Sequence, residues 1–256
     1  MADSPQIISL ASLLIAFLPA LLVVYILYRW TKDAPESIYG LARMLGQLLV
    51  IGYFLTFIFE SSSVMVVLAV LVVMVLVSSW IALRTIKLRR RSLFVFAVLA
   101  IALGGGLSLL VSTQLVLSLK PFYAAQYMIP LAGMVFANAM NSIGISAERY
   151  QSELDSGHDR LQARSVAFSA ALIPITNSLF AVGLVSLPGM MTGQILSGID
   201  PLIAARYQIM VMCMLFSSAG LSAACFLYLL GRRDALLGRR DTLLEERDTA
   251  ETSDSE

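Results

Sequence analysis

The stretch GLVSLPGMMTGQILSGIDP, residues 183–201, sets how the rest of this chain is read. Met190, Met191, Ile195, Leu196 and Ile199 make it too apolar for a solvent loop, while Pro188-Gly189 and Asp200-Pro201 bracket it with turn residues. As a helix, Met190–Ile199 would span about 15 Å at 1.5 Å per residue, half of the roughly 30 Å of hydrocarbon in a bilayer. The stretch is therefore expected to dip into a membrane as a re-entrant segment or to lie at its surface, without crossing.

The surrounding sequence has the composition of a membrane domain. Over 256 residues, 58% are hydrophobic and 14% charged, with mean hydropathy +0.82; an ordinary soluble domain carries about 25% charged residues. Apolar runs recur throughout, leaving no polar block large enough for a soluble catalytic domain. The first run, residues 7–28, has no Lys or Arg before it and is long enough to span, so it reads as a retained helix rather than a cleaved signal. The spacing predicts an all-α, polytopic protein with seven transmembrane helices at about 7–28, 41–59, 64–83, 93–117, 127–146, 167–187 and 208–230. With the N-terminus outside, only Lys120 and Arg206 of the 18 basic residues fall outside, an asymmetry that predicts an N-out, C-in chain. An extra crossing at 190–199 would place Arg232, Arg233, Arg239 and Arg240 outside. The expected organisation is a transmembrane domain over 1–231 and a charged cytoplasmic tail over 232–256.

The same pass excludes several chemistries. Cys213 and Cys225 would lie about 18 Å apart along one helix, too far to pair. His158 is the single histidine, and no Cys/His cluster suggests zinc or iron–sulfur binding, so any metal ligands are unknown from sequence. No Ser/His/Asp, Cys/His or paired-carboxylate constellation falls within membrane reach, so the chain is not expected to be an enzyme. The Arg84–Arg91 cluster reads as a topological anchor against anionic lipid and not as a nucleic-acid surface. Gly104-Gly105-Gly106 lacks a following Gly-Lys-Ser/Thr and sits in an apolar run, so it reads as close helix packing or local flexibility. Asp33, followed by Pro35 and Glu36, reads as a helix N-cap.

Four segments carry the functional expectations. In the fifth predicted helix, Gly133, Ala137 and Asn141 recur at i, i+4, i+8 beside Asn138, giving a small, polar face that acts as helix glue or as a substrate path. Residues 147–166 place Tyr150, Leu154 and Leu161 on one face among charges, the pattern of a short amphipathic cytoplasmic helix bent at Ser156-Gly157. It is expected to rest on lipid or to dock a cytoplasmic partner. The sixth helix holds Pro174 followed by Thr176-Asn177-Ser178, a kink site running into the 183–201 element. Pro174, Pro188, Gly189 and Pro201 are thus the expected hinges. The seventh helix carries small residues from Ser217 to Ala224, suited to close packing across a dimer, and is expected to end at Gly231-Arg232-Arg233. Beyond it, alternating charges predict a helix fraying into a disordered tail.

The stretches MIPLAGMVFANAM (128–140), AALIPITNS (170–178) and GLVSLPGMMTGQILSGIDPLIAARYQIMV (183–211) together resemble the permease family of the bacterial Fet-type iron-export ABC transporters, to which the plant aluminium-tolerance permeases also belong. The resemblance covers the helices from the second onward. It implies a membrane subunit working as a homodimer in the cell inner membrane, with a separate cytoplasmic ATPase that uses ATP and Mg. The chain itself binds no cofactor on this reading. The absence of a Walker-type G-x-x-x-x-G-K-[ST] agrees with nucleotide hydrolysis in trans. Two departures stand out: the connection at 147–166 is shorter than the family pattern, and Phe180 occupies the position of a family Lys.

The expected function is thus export of a metal ion, iron by resemblance. The ATPase would couple through Tyr150, Leu154 and Leu161, and the tentative pathway is Asn138, Asn141, Thr176, Asn177, Met190 and Met191. Thioethers favour Cu(I) over hard iron ions, and methionines in packed helices commonly act as adaptable filler. The alternatives are a transporter or channel that works without ATP, and a membrane scaffold that transports nothing.

Overall fold

The computed structural model describes residues 9–31, 34–60, 63–86 and 90–253, without side-chain placement at 10, 11, 53, 55–60 and 234–253. The Asp33 cap expectation lies outside the described residues. Among the described residues the chain is all-α and contains no strand. It divides into two compact units, Met1–Ser62 and Ser63–Glu256.

The first unit holds α1 (Leu10–Trp30) and α2 (Ala34–Glu60). Ser9 caps α1 by accepting the Ser12 amide at 3.1 Å, and the helix closes with the Thr31 amide donating to the Leu27 carbonyl at 2.9 Å. Its apolar side chains, including Leu14, Ile15, Leu18 and Leu22, are exposed. A helix apolar on all sides and uncovered by protein needs a lipid environment.

The second unit holds α3 (Val64–Ala82), α4 (Arg90–Val116), α5 (Ala125–Asp155), α6 (Arg160–Ala181), the short α7 (Gly189–Leu196) and α8 (Pro201–Ser253). Two stretches of α4, Ile101–Gly105 and Val111–Val116, are π-helical. Across the turn between α3 and α4, the Arg90 guanidinium sits 3.7 Å from the Trp80 ring centroid, and Arg90 Nε donates to the Trp80 carbonyl at 3.1 Å.

Small residues let α4, α5 and α8 approach one another. Ser218 and Ser222 of α8 are fully buried, as are Ala219 and Ala223. Ser218 Oγ donates to the Val135 carbonyl of α5 at 2.9 Å. This small face, expected to pack across a dimer, is therefore occupied within the chain. Gly105 turns to the other neighbour: an added Cβ would stand 3.1 Å from a Val135 methyl and 3.2 Å from the Phe136 ring. Gly104 and Gly105 are packing positions in α4.

Among the described residues, five helices are long and apolar enough to cross a membrane: Ser12–Trp30, Val64–Ala82, Arg90–Val116, Ala125–Asp155 and Pro201–Arg233. They coincide with five of the seven predicted spans. The remaining two correspond to α2 and α6 and are not among the five. Two expectations are corrected. Gly231 does not stop the last helix, because α8 continues without a break to Ser253; in a helix already propagating, a single glycine costs only about 1 kcal/mol. In addition, 147–166 is not one short helix but the adjoining ends of α5 and α6, described next.

Candidate functional site

The elbow between α5 and α6 is built by local backbone chemistry. Gly157 takes φ +84°, a left-handed value, and closes α5 with two bonds: its own amide to the Leu154 carbonyl at 3.0 Å and the His158 amide to the Glu153 carbonyl at 3.1 Å. Asp159 then starts α6, its carboxylate accepting the amides of Leu161 and Gln162 at 2.8 Å each. Glu153, almost fully buried, ties the elbow together. Its two carboxylate oxygens meet Arg149 at 2.6 Å and His158 Nδ1 at 2.7 Å.

This geometry splits the expected coupling face. Tyr150 is 1% exposed and belongs to the core, Leu154 is half-buried against that core, and Leu161 is 68% exposed. A helix continuing through 156–159 would have aligned them; the glycine turn puts Leu161 on a different helix.

The 183–201 stretch is also a capped helix between turns. Pro188 precedes α7, and Gly198, at φ +88°, ends it with the Gly198 amide on the Ile195 carbonyl and the Ile199 amide on the Gln194 carbonyl. Asp200 then caps α8 by accepting the Leu202 amide at 2.8 Å. At eight residues α7 is about 12 Å long, short of a crossing.

Between α5, α6, α7 and α8 lies a cavity of about 350 Å³. Met134 and Asn138 line it from α5, Ser178 from α6, Met190 from α7, and Gln208 and Met212 from α8. Asn138 Nδ2 donates to the Leu215 carbonyl at 2.8 Å, and Ser178 Oγ donates to the Pro174 carbonyl at 3.0 Å. Gln208 is 6% exposed, and its Oε1 has no hydrogen-bond partner. The wall offers amide and hydroxyl groups, with the Gln208 carbonyl oxygen as a free acceptor, and the thioethers of Met134, Met190 and Met212; no carboxylate, thiol or imidazole lines it. Such a wall can meet a cargo through the Gln208 oxygen and the thioethers, and it supplies no fixed countercharge. No cluster of three or more His, Cys, Asp or Glu side chains occurs among the described residues.

A second cleft, of about 400 Å³, opens between α3, α5 and α6, lined by Arg84, Thr85, Asn141, Gly144, Glu148 and Pro174. Gly144 permits the approach, since a Cβ there would stand 3.1 Å from the Ala82 carbonyl oxygen. The two spaces adjoin along α5 and α6: Pro174 lines the cleft and Ile175 and Ser178 the cavity, while Asn141 lines the cleft and Asn138 the cavity.

The predicted pathway residues are therefore divided. Asn138 and Met190 reach the cavity and Asn141 the cleft; half-buried Thr176 and Met191 and exposed Asn177 line neither. The Gly133, Ala137, Asn141 stripe is not a buried face, because Ala137 and Asn141 are exposed. The buried stripe of α5 runs through Val135, Ala139, Ser142 and Ser146 instead. Pro174 lies inside an α6 that runs on to Ala181, and Pro188, Gly189 and Pro201 stand at the ends of α7 and α8. Phe180, at the position of the family Lys, is exposed. Sequence reasoning missed Gln208; the signal was its register with buried Ala204 and Val211 on α8.

Residues 8–234 match the model of the Uncharacterised protein family (UPF0014). The chain is 35% identical over 209 residues to the Probable iron export permease protein FetB of Escherichia coli, covering 75% of this chain and 79% of that protein. It is 35% identical over 195 residues to the UPF0014 membrane protein slr1647 of Synechocystis, covering 70% and 75%. It is 33% identical over 210 residues to Protein ALUMINUM SENSITIVE 3 of Arabidopsis thaliana, covering 76% and 75%. No solved structure matches.

Proposed function

This chain belongs to the UPF0014 membrane protein family, and we propose that it is the membrane-spanning permease subunit of an ABC transporter that exports a metal ion. Iron is the cargo by analogy with the relative named as a probable iron export permease. A separate cytoplasmic ATPase supplies the energy, and the permease works as a homodimer in the cell inner membrane. In this reading α2 and α6 also cross, giving seven spans with the N-terminus outside.

The observation that carries the reading is the pair of spaces that adjoin along α5 and α6. The cleft opens toward the helix ends that carry Arg84, Arg149 and Arg160, the cytoplasmic end by the positive-inside rule. The cavity lies deeper, against α7. A displacement of α6 relative to α5 would join them and pass a cargo from one space to the other, the two-state change that alternating access requires. The elbow is the natural handle for that displacement. Its Glu153 clamp makes the start of α6 rigid, so force on the exposed Leu161 is delivered along the helix.

The absence of a fixed charge in the cavity wall argues for an external energy source, because ion-coupled transport commonly relies on buried acids or histidines. The test is nucleotide hydrolysis by a candidate ATPase in liposomes with and without this protein, across iron, other divalent metals and Cu(I). Metal-dependent stimulation is expected. Binding of the ATPase without stimulation by any metal favours a scaffold, and no association favours a transporter that works without ATP.

A further inference from the structure

At the basic end of the second unit, the first turns of α6 and the end of the apolar part of α8 leave a groove of about 480 Å³. Leu161, Phe168, Ala224 and Leu227 line it with apolar surface, and Arg164, Ser165 and Tyr228 line it with polar surface. The Arg232 guanidinium stands 5.9 Å from the Tyr228 ring centroid. No carboxylate lines the groove, and neither Arg164 nor Arg232 has an ion-pair partner among the residues whose side chains are placed. Arg149, by contrast, is paired with Glu153. Next along α8, Arg233 keeps a buried Nη1 without a hydrogen-bond partner. Among the residues whose side chains are placed, no carboxylate pairs with the guanidinium groups of Arg164, Arg232 and Arg233.

The depth of the groove narrows which anion would meet them. The apolar run of α8 ends at Leu230, just before Gly231-Arg232-Arg233, so Tyr228 and Arg232 fall where the span meets the headgroups, the level at which tyrosine rings and long basic side chains settle. Ala224 lies one turn deeper, at hydrocarbon level, with Phe168 of α6 lining the same groove. A water-soluble protein reaches the end with Arg164 and exposed Leu161, and not the deeper end at Phe168 and Ala224. One molecule that supplies a phosphate at the first level and a hydrocarbon chain at the second is a phospholipid. A zwitterionic headgroup would bring its own cation beside the two arginines. We propose that this groove is a specific site for an anionic phospholipid, its phosphate held by Arg164 and Arg232 and an acyl chain laid along Phe168, Ala224 and Leu227.

The test is native mass spectrometry of the full chain in a neutral detergent, titrated separately with phosphatidylglycerol and phosphatidylcholine. Retention of one phosphatidylglycerol per chain, at concentrations where phosphatidylcholine is not retained, is expected. Arg164→Gln with Arg232→Gln should weaken that binding about five-fold per arginine, from the usual worth of a basic side chain near an anionic headgroup. Arg206→Gln, at the opposite end of α8, should leave it unchanged. Ala224→Trp keeps both charges and should block the same binding event, which covers the case in which the double variant folds poorly. Equal retention of the two lipids, or wild-type phosphatidylglycerol affinity in the double variant, overturns the proposal. So does a double variant that keeps the lipid while losing a co-purifying cytoplasmic protein, which would make the groove a protein-docking surface.

Discussion

An ideal Cβ on Gly104 would stand 2.5 Å from the backbone nitrogen of Ser222 and 2.6 Å from its Oγ. No real side chain tolerates such contacts with backbone, so α4 and α8 are as close as they are because residue 104 has no Cβ. Two positions on, Gly106 faces open space, with nothing within 4 Å of an added Cβ. Gly104→Ala should therefore lower thermal stability in detergent by about 1–3 kcal/mol, the usual cost of overpacking. Gly106→Ala should be neutral or slightly stabilising from improved helix propensity. Equal melting temperatures for the two variants would remove the close approach as a determinant of the fold.

Asn138 and Asn141 lie three residues apart and are held differently. Asn138 ties α5 to α8 through the Leu215 carbonyl, whereas exposed Asn141 has no hydrogen bond among the described residues. Asn138→Ala should cost about 0.6 kcal/mol and up to about 2, as interhelical hydrogen bonds in membranes do. Asn141→Ala should leave the melting temperature unchanged and reduce transport, as expected of a cleft residue on the path. The check is thermal unfolding and liposome flux measured on the same preparations.

Gln208 pairs a stability cost with a use. A buried amide oxygen without a partner costs about 1–3 kcal/mol, so Gln208→Met, similar in size and free of the amide, should raise thermal stability. If the cavity carries the cargo, the same variant should lose flux. Higher stability with undiminished flux would leave Gln208 an uncompensated defect of packing and move the cargo path elsewhere.

Met190 lines the cavity while Met191 does not. Thioethers used as cargo ligands and thioethers used as filler predict different results for Met190→Leu with Met191→Leu. The filler reading expects near wild-type flux at normal membrane abundance, since Leu for Met conserves volume. Loss of metal flux at normal abundance would assign the Met190 sulfur to the cargo.

How much of this was legible in the sequence depends on the range of the interaction that sets each feature. The turns around 183–201 were legible because Pro188, Gly189, Asp200 and Pro201 act on their own neighbours, and α7 lies within their brackets. Five spans were legible because hydropathy is a property of a continuous window. The bend at Ser156-Gly157 was legible, but the coupling face was misread because amphipathic spacing assumes one helix, and Gly157 with Asp159 resets the register between Leu154 and Leu161. The buried side of α5 was misread as well. Which of two small-residue stripes is covered depends on where Val135 meets Ser218, a contact 83 residues away in sequence.

Leu161 offers the sharpest separation of folding from coupling. It is 68% exposed at the start of α6, whereas Leu154 is half-buried against the core and Tyr150 is fully buried. A charge at Leu161 meets water and leaves the fold alone; a charge at Leu154 must be desolvated and should destabilise the chain. Leu161→Glu should therefore keep the wild-type melting temperature and abolish stimulation of the partner ATPase, while Leu154→Glu should lower both. The two melting curves act as the control for the two hydrolysis assays. Full stimulation in a stable Leu161→Glu variant would take the elbow out of the coupling path, and the force on α6 would then have to enter through another surface of the chain.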